Sequence, residues 1–398
     1  MNQEMIEVSA VLSFFMHTED SRKERSRHPV QGAEFSFHVG GNGEATLTRF
    51  RGDAQEVEVP ADYQGHPVTE IASYAFASCD TLKKVHLPAS VVRVGEGVFG
   101  SCTALEQVTL PEGLQELGSQ CFAECESLRA ISLPDSLSAV PAALLRGCTA
   151  LQQVRLPRHE GVTIGWQAFS ECDSLTEVII PEGTAVLGEM AFFNCSALER
   201  ISLPASLRTI DRNAFSFCRQ LRRVELPAGM RRIGMQAFFG CAALETVRIP
   251  ASLTEVEGNP FGNCARLMEV TVEDGNPVLE MNGPMLMNRP RHAVLSYMCG
   301  QDAGFAIVPA GTLEVADHAF TGCRALHRVT LPEGIEKLGN AAFSNCSSLR
   351  AINLPGSLTD IGLDLLDGCD NVVMQAPDGT LSGRYVSKVQ PAFITSLE

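Results

Sequence analysis

The sequence has few aromatic side chains and fewer basic residues than acidic ones. Trp166 is its only tryptophan, and four of its 398 residues are tyrosine. Aromatic platforms for stacking on sugars are therefore scarce, which disfavours a glycan-binding module. Lys and Arg number 31 against 47 Asp and Glu, giving a formal net charge of −16. Because neutralising phosphates requires an excess of cations, we expect no nucleic-acid partner.

The chain also lacks a long apolar run. The longest candidate, residues 8–16, is well short of the roughly 20 residues of a membrane-spanning helix, so we expect no membrane span. Glu4 and Glu7 precede this run and basic residues follow it, which reverses the charge order of a signal peptide. At face value this predicts a cytoplasmic protein. The alternative is a cell-surface or secreted protein whose leader was removed.

Motifs that carry catalysis or bind cofactors are absent. There is no phosphate-binding G-x-x-x-x-G-K-S/T, no H-E-x-x-H and no paired C-x-x-C. The nearest metal candidate is Cys121 with Cys125, but Cys125 belongs to the repeat described next. We expect no metal, no cofactor and no enzymatic activity. One alternative is an active site around His292, Tyr297 and Cys299, which cluster in sequence.

What the sequence has in abundance is a repeat of 23 or 24 residues. Cysteine recurs at this interval with one longer jump, from Cys264 to Cys323, and a large apolar residue stands three positions before each cysteine. After each cysteine the chain reads approximately L-x-x-V/I-x-L-P. A period of 20 to 29 residues with this spacing is that of a leucine-rich repeat. The twelve ladder cysteines are Cys79, Cys102, Cys125, Cys148, Cys172, Cys195, Cys218, Cys241, Cys264, Cys323, Cys346 and Cys369.

The repeat predicts a leucine-rich repeat solenoid, a right-handed β/α superhelix dominated by β-structure. Each coil supplies one strand to a parallel concave sheet, and its apolar residues are buried only when coils stack. The proline after each strand ends its hydrogen bonding. The G-x-x-A-F segment before each cysteine predicts a helical turn. Since stacked cysteines point in the same direction, we expect all twelve to be reduced and inaccessible.

Composition and periodicity divide the chain into four segments. Residues 1–30 are predicted to form a short helix and a solvated tether outside the repeats. Apolar alternation about a Gly/Asn turn predicts an N-terminal β-hairpin cap. The predicted segments are residues 1–30, the hairpin cap 31–56, the solenoid 57–372 with a hairpin insertion near 273–308, and the C-terminal cap 373–398.

The repeat unit resembles the BspA-like class of leucine-rich repeats, a bacterial surface-antigen type. Its units read I-P-x-x-V-x-x-I-G-x-x-A-F-x-x-C-x-x-L-x-x-V, as residues 110–122 illustrate for the central part. Residues 59–68 resemble the family's opening and 376–385 its closing segment, which implies a helix in residues 379–388, with Phe393 and Ile394 covering the final coil. The resemblance implies protein–protein contact, often with host or matrix proteins.

Charged residues on the predicted sheet differ in sign from the whole chain. The outward positions four, five and seven after each ladder cysteine hold ten basic and six acidic residues. The basic residues are densest at Arg200, Arg222, Arg223 and Arg248, our candidate partner-binding residues. One interpretation is a solvated sheet; the other is a docking face for an acidic protein. We therefore expect a monomeric, adhesin-like protein-interaction scaffold, with a glycan or surface-polymer binding module as the alternative.

Overall fold

The computed structural model describes residues 32–158, 161–300 and 304–389. The chain forms two compact units, Met1–Leu207 and Arg208–Glu398. Predictions for residues 1–30 and for Phe393 and Ile394 lie outside the described residues. In each unit a regular coil has two short strands. We call the strand after the ladder cysteine the inner strand and the strand after the following proline the outer strand.

The first unit contains inner strands that pair in parallel, one coil on the next. Ala130, for example, stands opposite Gln153, and Ile131 opposite Val154. The inner sheets are β3-β6-β8, β10-β12 and β14-β16, whereas β5, β7, β9, β11, β13 and β15 are outer strands. The strands are β1 (Ala33–Val39), β2 (Ala45–Gly52), β3 (Glu56–Glu58), β4 (Asp62–Tyr63), β5 (His66–Ile71), β6 (Lys84–His86), β7 (Arg93–Val94), β8 (Gln107–Thr109), β9 (Glu116–Leu117), β10 (Ala130–Ser132), β11 (Ala139–Val140), β12 (Gln153–Arg155), β13 (Thr163–Ile164), β14 (Glu177–Ile179), β15 (Val186–Leu187) and β16 (Arg200–Ser202).

The second unit repeats this plan and adds an insertion and a helix. Its inner sheets are β19-β21 and β25-β27-β29-β31. The elements are β17 (Thr209–Ile210), β18 (Arg232–Ile233), β19 (Thr246–Ile249), β20 (Glu255–Val256), β21 (Glu269–Val272), β22 (Leu279–Asn282), β23 (Met285–Asn288), β24 (Ala293–Tyr297), β25 (Phe305–Ile307), β26 (Glu314–Val315), β27 (Arg328–Thr330), β28 (Lys337–Leu338), β29 (Ala351–Asn353), β30 (Asp360–Ile361), β31 (Val373–Gln375) and α1 (Leu381–Val389).

The hairpin predicted at the start of the repeats is present. Strands β1 and β2 pair antiparallel, and β2 continues in parallel with β5. Leu47 and Phe50 on β2 are buried, and the ring of Phe50 stacks on Phe76 of the first coil with centroids 5.0 Å apart. The hairpin thus places its apolar side chains against the first regular coil.

The insertion also contains the predicted hairpin, but it is packed into the coil stack. Strands β22, β23 and β24 form an antiparallel sheet, and β24 then pairs in parallel with the outer strand β26. Every residue of β23 and β24 is buried. Because β24 takes the place of an outer strand, the insertion includes a modified coil.

The segment before each ladder cysteine is not helical, so the predicted helical turn is wrong there. Its residues form turns that include two left-handed positions per coil, such as Tyr74 (φ 61°) and Ser78 (φ 59°). Alternate N–H groups then point to the next coil. Those of Tyr74, Phe76 and Ser78 donate to carbonyls one coil ahead over 2.7–2.9 Å. A helix would direct these donors along its own axis, so bonding between coils replaces it.

The recurring phenylalanine and cysteine form two parallel ladders in the core. Phe99 and Phe122 stack with ring centroids 5.4 Å apart, and Tyr297 takes the phenylalanine position in the insertion, 4.9 Å from Phe320. Eight of the ladder thiols donate to the carbonyl of the phenylalanine one coil earlier, and Cys172 donates in the same way to the carbonyl of Leu145. The Sγ of Cys241, for example, lies 3.2 Å from the oxygen of Phe215. Cysteine therefore recurs because it fills the core and satisfies a buried carbonyl.

Two ladder cysteines depart from the predicted reduced and inaccessible state. Cys323 forms a disulfide with Cys299 of the insertion. Cys299 lies 24 residues before Cys323, which is the ladder interval, so it is the ladder cysteine of the modified coil. Cys369 on the last coil is half-buried, while the remaining ladder thiols and Cys121 are free and buried. Neighbouring cysteines therefore can bond where the coil geometry changes.

We predict that one thiol of the native protein reacts quickly with a thiol reagent at neutral pH. A hydrogen bond with the Cys346 thiol lowers the pKa of Cys369, which is also the only half-exposed free thiol among the described residues. Reaction requires an accessible thiolate, so the buried thiols should react only after unfolding. Mass spectrometry after brief labelling should show one adduct, lost in Cys369→Ala. Several rapid adducts on the Cys369→Ala variant would contradict the buried ladder.

Candidate partner-binding surface

The inner strands present their exposed side chains on alternate positions. In β19, Val247 and Ile249 are buried whereas Thr246 and Arg248 are exposed. This alternation arises because successive side chains of a strand point to opposite faces. Arg200, Arg222, Arg223 and Arg248 are all exposed, as predicted. Arg200 belongs to the first unit, and the other three belong to the second.

Two of the four candidate arginines are held by carboxylates of their own unit. The Arg200 guanidinium lies 2.8 Å from Glu177 of the preceding strand, and this hydrogen bond raises the pKa of Arg200. Arg248 lies 3.0 Å from Glu273. Both arginines are highly exposed, so each pair is screened by water and contributes little to stability. The charge of each arginine is nevertheless largely compensated.

Arg222 and Arg223 differ from these two. Within the part of the chain that the structure describes, neither guanidinium forms an ion pair. Arg223 sits on a parallel bridge to Thr246, so Arg223 and Arg248 lie on neighbouring coils. The adjacent Arg222 and Arg223 therefore present from one coil two guanidinium groups without an ion-pair partner among the described residues.

Several acidic residues that the repeat pattern did not single out form ion pairs with basic residues of the inner strands. Glu56 on β3 bonds Lys84 at 2.7 Å, and Asp135 bonds Arg155 at the same distance. Glu56 was missed because its coil precedes the first ladder cysteine. Asp135 and Glu273 lie just beyond the three positions counted per coil. Their spacing of one coil from a basic residue was the signal that could have found them.

The alternative active site around His292, Tyr297 and Cys299 is not assembled. His292 is exposed in the turn between β23 and β24, Tyr297 is buried against Phe320, and Cys299 is bonded to Cys323. A cysteine in a disulfide cannot act as a nucleophile, because that role needs a thiolate. Among the described residues no group of three metal-ligating side chains comes together. No helix in the described ranges is long and apolar enough to cross a membrane.

Two solved structures with the same fold come from bacteria. A leucine-rich cell surface protein from Faecalibacterium prausnitzii is similar to this chain with 21% identity and a TM-score of 0.52, covering 89% of this chain and 97% of its own. A leucine-rich repeat protein from Bacteroides ovatus has 20% identity and a TM-score of 0.50, covering 87% and 99%. Each resemblance is one of fold. No curated protein matches the chain.

The parallel coils and the regular core ladders define a leucine-rich repeat solenoid. The model of the BspA type leucine rich repeat region, with six copies, matches residues 69–163, 162–282 and 304–377. Because these matches extend over well more than half of the sequence, the chain belongs to the BspA-type leucine-rich repeat family. This family consists of repeat scaffolds that generally serve protein interaction.

Proposed function

We propose that this chain is a non-enzymatic scaffold that binds an acidic protein partner around Arg222 and Arg223, as an adhesin-like binder of host or matrix proteins. The observation that carries the proposal is that these two exposed guanidinium groups have no acidic partner within the described residues, in a chain of net charge −16. Arg248, on the next inner strand of the same unit, is already paired with Glu273.

The chemistry of the guanidinium group favours a carboxylate-bearing partner. Its planar donors bind a carboxylate through two hydrogen bonds at once. Two exposed cations without an ion-pair partner also attract an acidic partner during encounter, which raises the association rate at low salt. Arg248 has a secondary role in this proposal, since a partner must displace Glu273 to reach it.

The disulfide supports placing the chain at the cell surface. Disulfides persist in oxidising compartments and are rare in the reducing cytosol. The pair Cys299–Cys323 is therefore better suited to an extracellular location. The similar protein from F. prausnitzii is itself a cell surface protein. Counting free thiols in protein from the native source tests this placement: twelve unpaired thiols are expected and fourteen argue for the cytoplasm.

Reversing two charges should weaken partner binding. We expect Arg222→Glu/Arg223→Glu to slow association with a captured partner by about tenfold or more at low salt and to reduce its salt dependence. Folding should be nearly unchanged, because both side chains are exposed. The measurement is the association rate by surface-based kinetics at several salt concentrations.

The matched control is Arg231→Glu/Arg324→Glu. Both arginines are exposed in the second unit but lie off the inner strands, so the net charge changes equally. If the control slows association as much as the test variant, overall charge explains the effect. Equal binding of the parent and the test variant would mean that Arg222 and Arg223 only solvate the sheet.

A further inference from the structure

A second exposed surface lies on the four-stranded inner sheet β25-β27-β29-β31. Phe305 and Ile307 on β25 are 57% and 64% exposed, while Ala306 between them is buried. The corresponding positions on regular coils of the first unit mostly hold polar residues, such as Lys84 and His86. Val373 on the last strand is also 49% exposed. An aromatic and an aliphatic side chain therefore point away from the core together.

The same sheet has basic residues and no carboxylate. Arg328 stands directly opposite Phe305 on the neighbouring strand, and Thr330 stands opposite Ile307. None of β25, β27, β29 and β31 contains Asp or Glu. In the described ranges Arg328 forms no ion pair, and the Arg350 guanidinium bonds to the carbonyls of Ser347 and Leu349. We call Phe305, Ile307 and Arg328 the apolar–basic surface.

We propose that the apolar–basic surface binds an acidic protein segment that carries a large apolar side chain. Exposed apolar patches mark interaction sites, and arginine is among the residue types enriched in binding hot spots. Phe305 and Ile307 offer apolar area that a partner removes from water, and Arg328 offers donors for a carboxylate. The proposal goes beyond the Arg222 and Arg223 site, since it uses different coils and requires an apolar group.

A second copy of this chain fits the surface poorly. In a two-fold symmetric contact the same patch faces itself, so both copies of Arg328 would lie within one interface. Like charges that meet across an interface oppose association. Two chains of net charge −16 also repel each other at longer range. Charge complementarity therefore favours a different, acidic partner.

Two synthetic probe peptides test the requirement for an apolar side chain. One alternates Glu with Leu, and the other alternates Glu with Ser, so that both carry the same charge. Fluorescence anisotropy gives their Kd values for the full chain. We expect saturable binding of the Glu–Leu peptide at up to about 1 mM. The Glu–Ser peptide should bind about tenfold more weakly or worse.

Variants locate this preference on the molecule. In Phe305→Ser/Ile307→Ser the ratio of the Glu–Ser Kd to the Glu–Leu Kd should fall to about one. The control Ile179→Ser removes an equally exposed apolar side chain from β14 and should leave this ratio unchanged. Arg222→Glu/Arg223→Glu should also keep the ratio, which separates this surface from the proposed function. Arg328→Gln should weaken binding of the Glu–Leu peptide and reduce the salt dependence of that binding.

Four outcomes would overturn the proposal. The first is no saturable binding of the Glu–Leu peptide, and the second is a peptide preference that survives Phe305→Ser/Ile307→Ser. The third is equal binding of a Lys–Leu peptide, which would leave Arg328 without a role. The fourth is concentration-dependent self-association of the parent that is lost in the Phe305 variant, because the occupant would then be a second copy.

Discussion

Raising the pH from about 7.5 to about 10 is expected to remove most of this protein's free energy of unfolding. The cause is the ladder of buried thiols. Eleven free cysteines are buried, and burial raises the pKa of Cys121 and of Cys264 to about 12. Burial likewise raises the pKa of Cys102, Cys125 and Cys241. These thiols therefore stay neutral in the folded chain.

In the unfolded chain the same thiols ionise near their ordinary pKa of about 8.5. Below that pH both states hold the proton, so the thiols do not make stability depend on pH. Between the unfolded and the folded pKa the folded state binds more protons, and stability therefore falls as pH rises. Each of the five thiols named above then lowers the free energy of unfolding by about 1.4 kcal/mol per pH unit. Summed over these five thiols up to about pH 10, the loss is comparable with the roughly 5–15 kcal/mol that stabilises a typical protein.

Urea unfolding monitored by circular dichroism over this pH range measures the effect. Cys241→Ala should reduce the slope of the free energy of unfolding against pH by the contribution of one proton, because it removes one buried thiol. Cys369→Ala is the matched control, since the pKa of Cys369 is lowered in the folded chain and its loss should not flatten the curve. A urea midpoint that stays constant from about pH 7.5 to about pH 10 would contradict the prediction.

Much of the fold follows from the sequence because the ladder residues repeat at one structural position. The spacing of Phe, Cys and Leu predicted parallel inner strands, and the structure has them. The turns before the ladder cysteines were not predictable, since their left-handed positions, such as Ser78 and Glu124, hold residue types that do not favour this conformation. Hydrogen bonds from these turns to the next coil stabilise the left-handed conformation. Such bonds depend on stacking, which a local pattern does not encode.

The insertion was misread for a similar reason. Cys299 was assigned to the alternative active site and not to the ladder, although it lies 24 residues before Cys323. Tyr297 is two rather than three positions before Cys299, so the aromatic ladder was also hidden. For the candidate site, alternation correctly predicted that the arginines are exposed. It did not predict the pairing of Arg248 with Glu273, because that partner lies beyond the strand.

A single methyl group at Gly118 is expected to disrupt the stacking of coils. Gly118 directly follows β9, at the position of the repeated glycine in I-G-x-x-A-F. A Cβ at this position would lie 2.4 Å from the backbone nitrogen of Glu96 and 2.4 Å from the carbonyl carbon of Gly95. Both atoms belong to the backbone of the preceding coil, so no side-chain rotation relieves the overlap. Glycine recurs there because two backbones touch.

We expect Gly118→Ala to lower the free energy of unfolding by roughly 3 kcal/mol or more, since overpacking that forces a backbone shift costs at least as much as overpacking of side chains. Gly113→Ala in the same coil is the control: a Cβ there meets no atom within 4 Å, and its backbone is not left-handed. That variant should be as stable as the parent or slightly more stable, because alanine restricts the unfolded chain. Chemical denaturation of both variants measures the difference. Equal stability of the two would show that the coils can separate at Gly118 without losing their shared hydrogen bonds, such as the one from Gly118 N–H to the Val94 carbonyl at 2.8 Å.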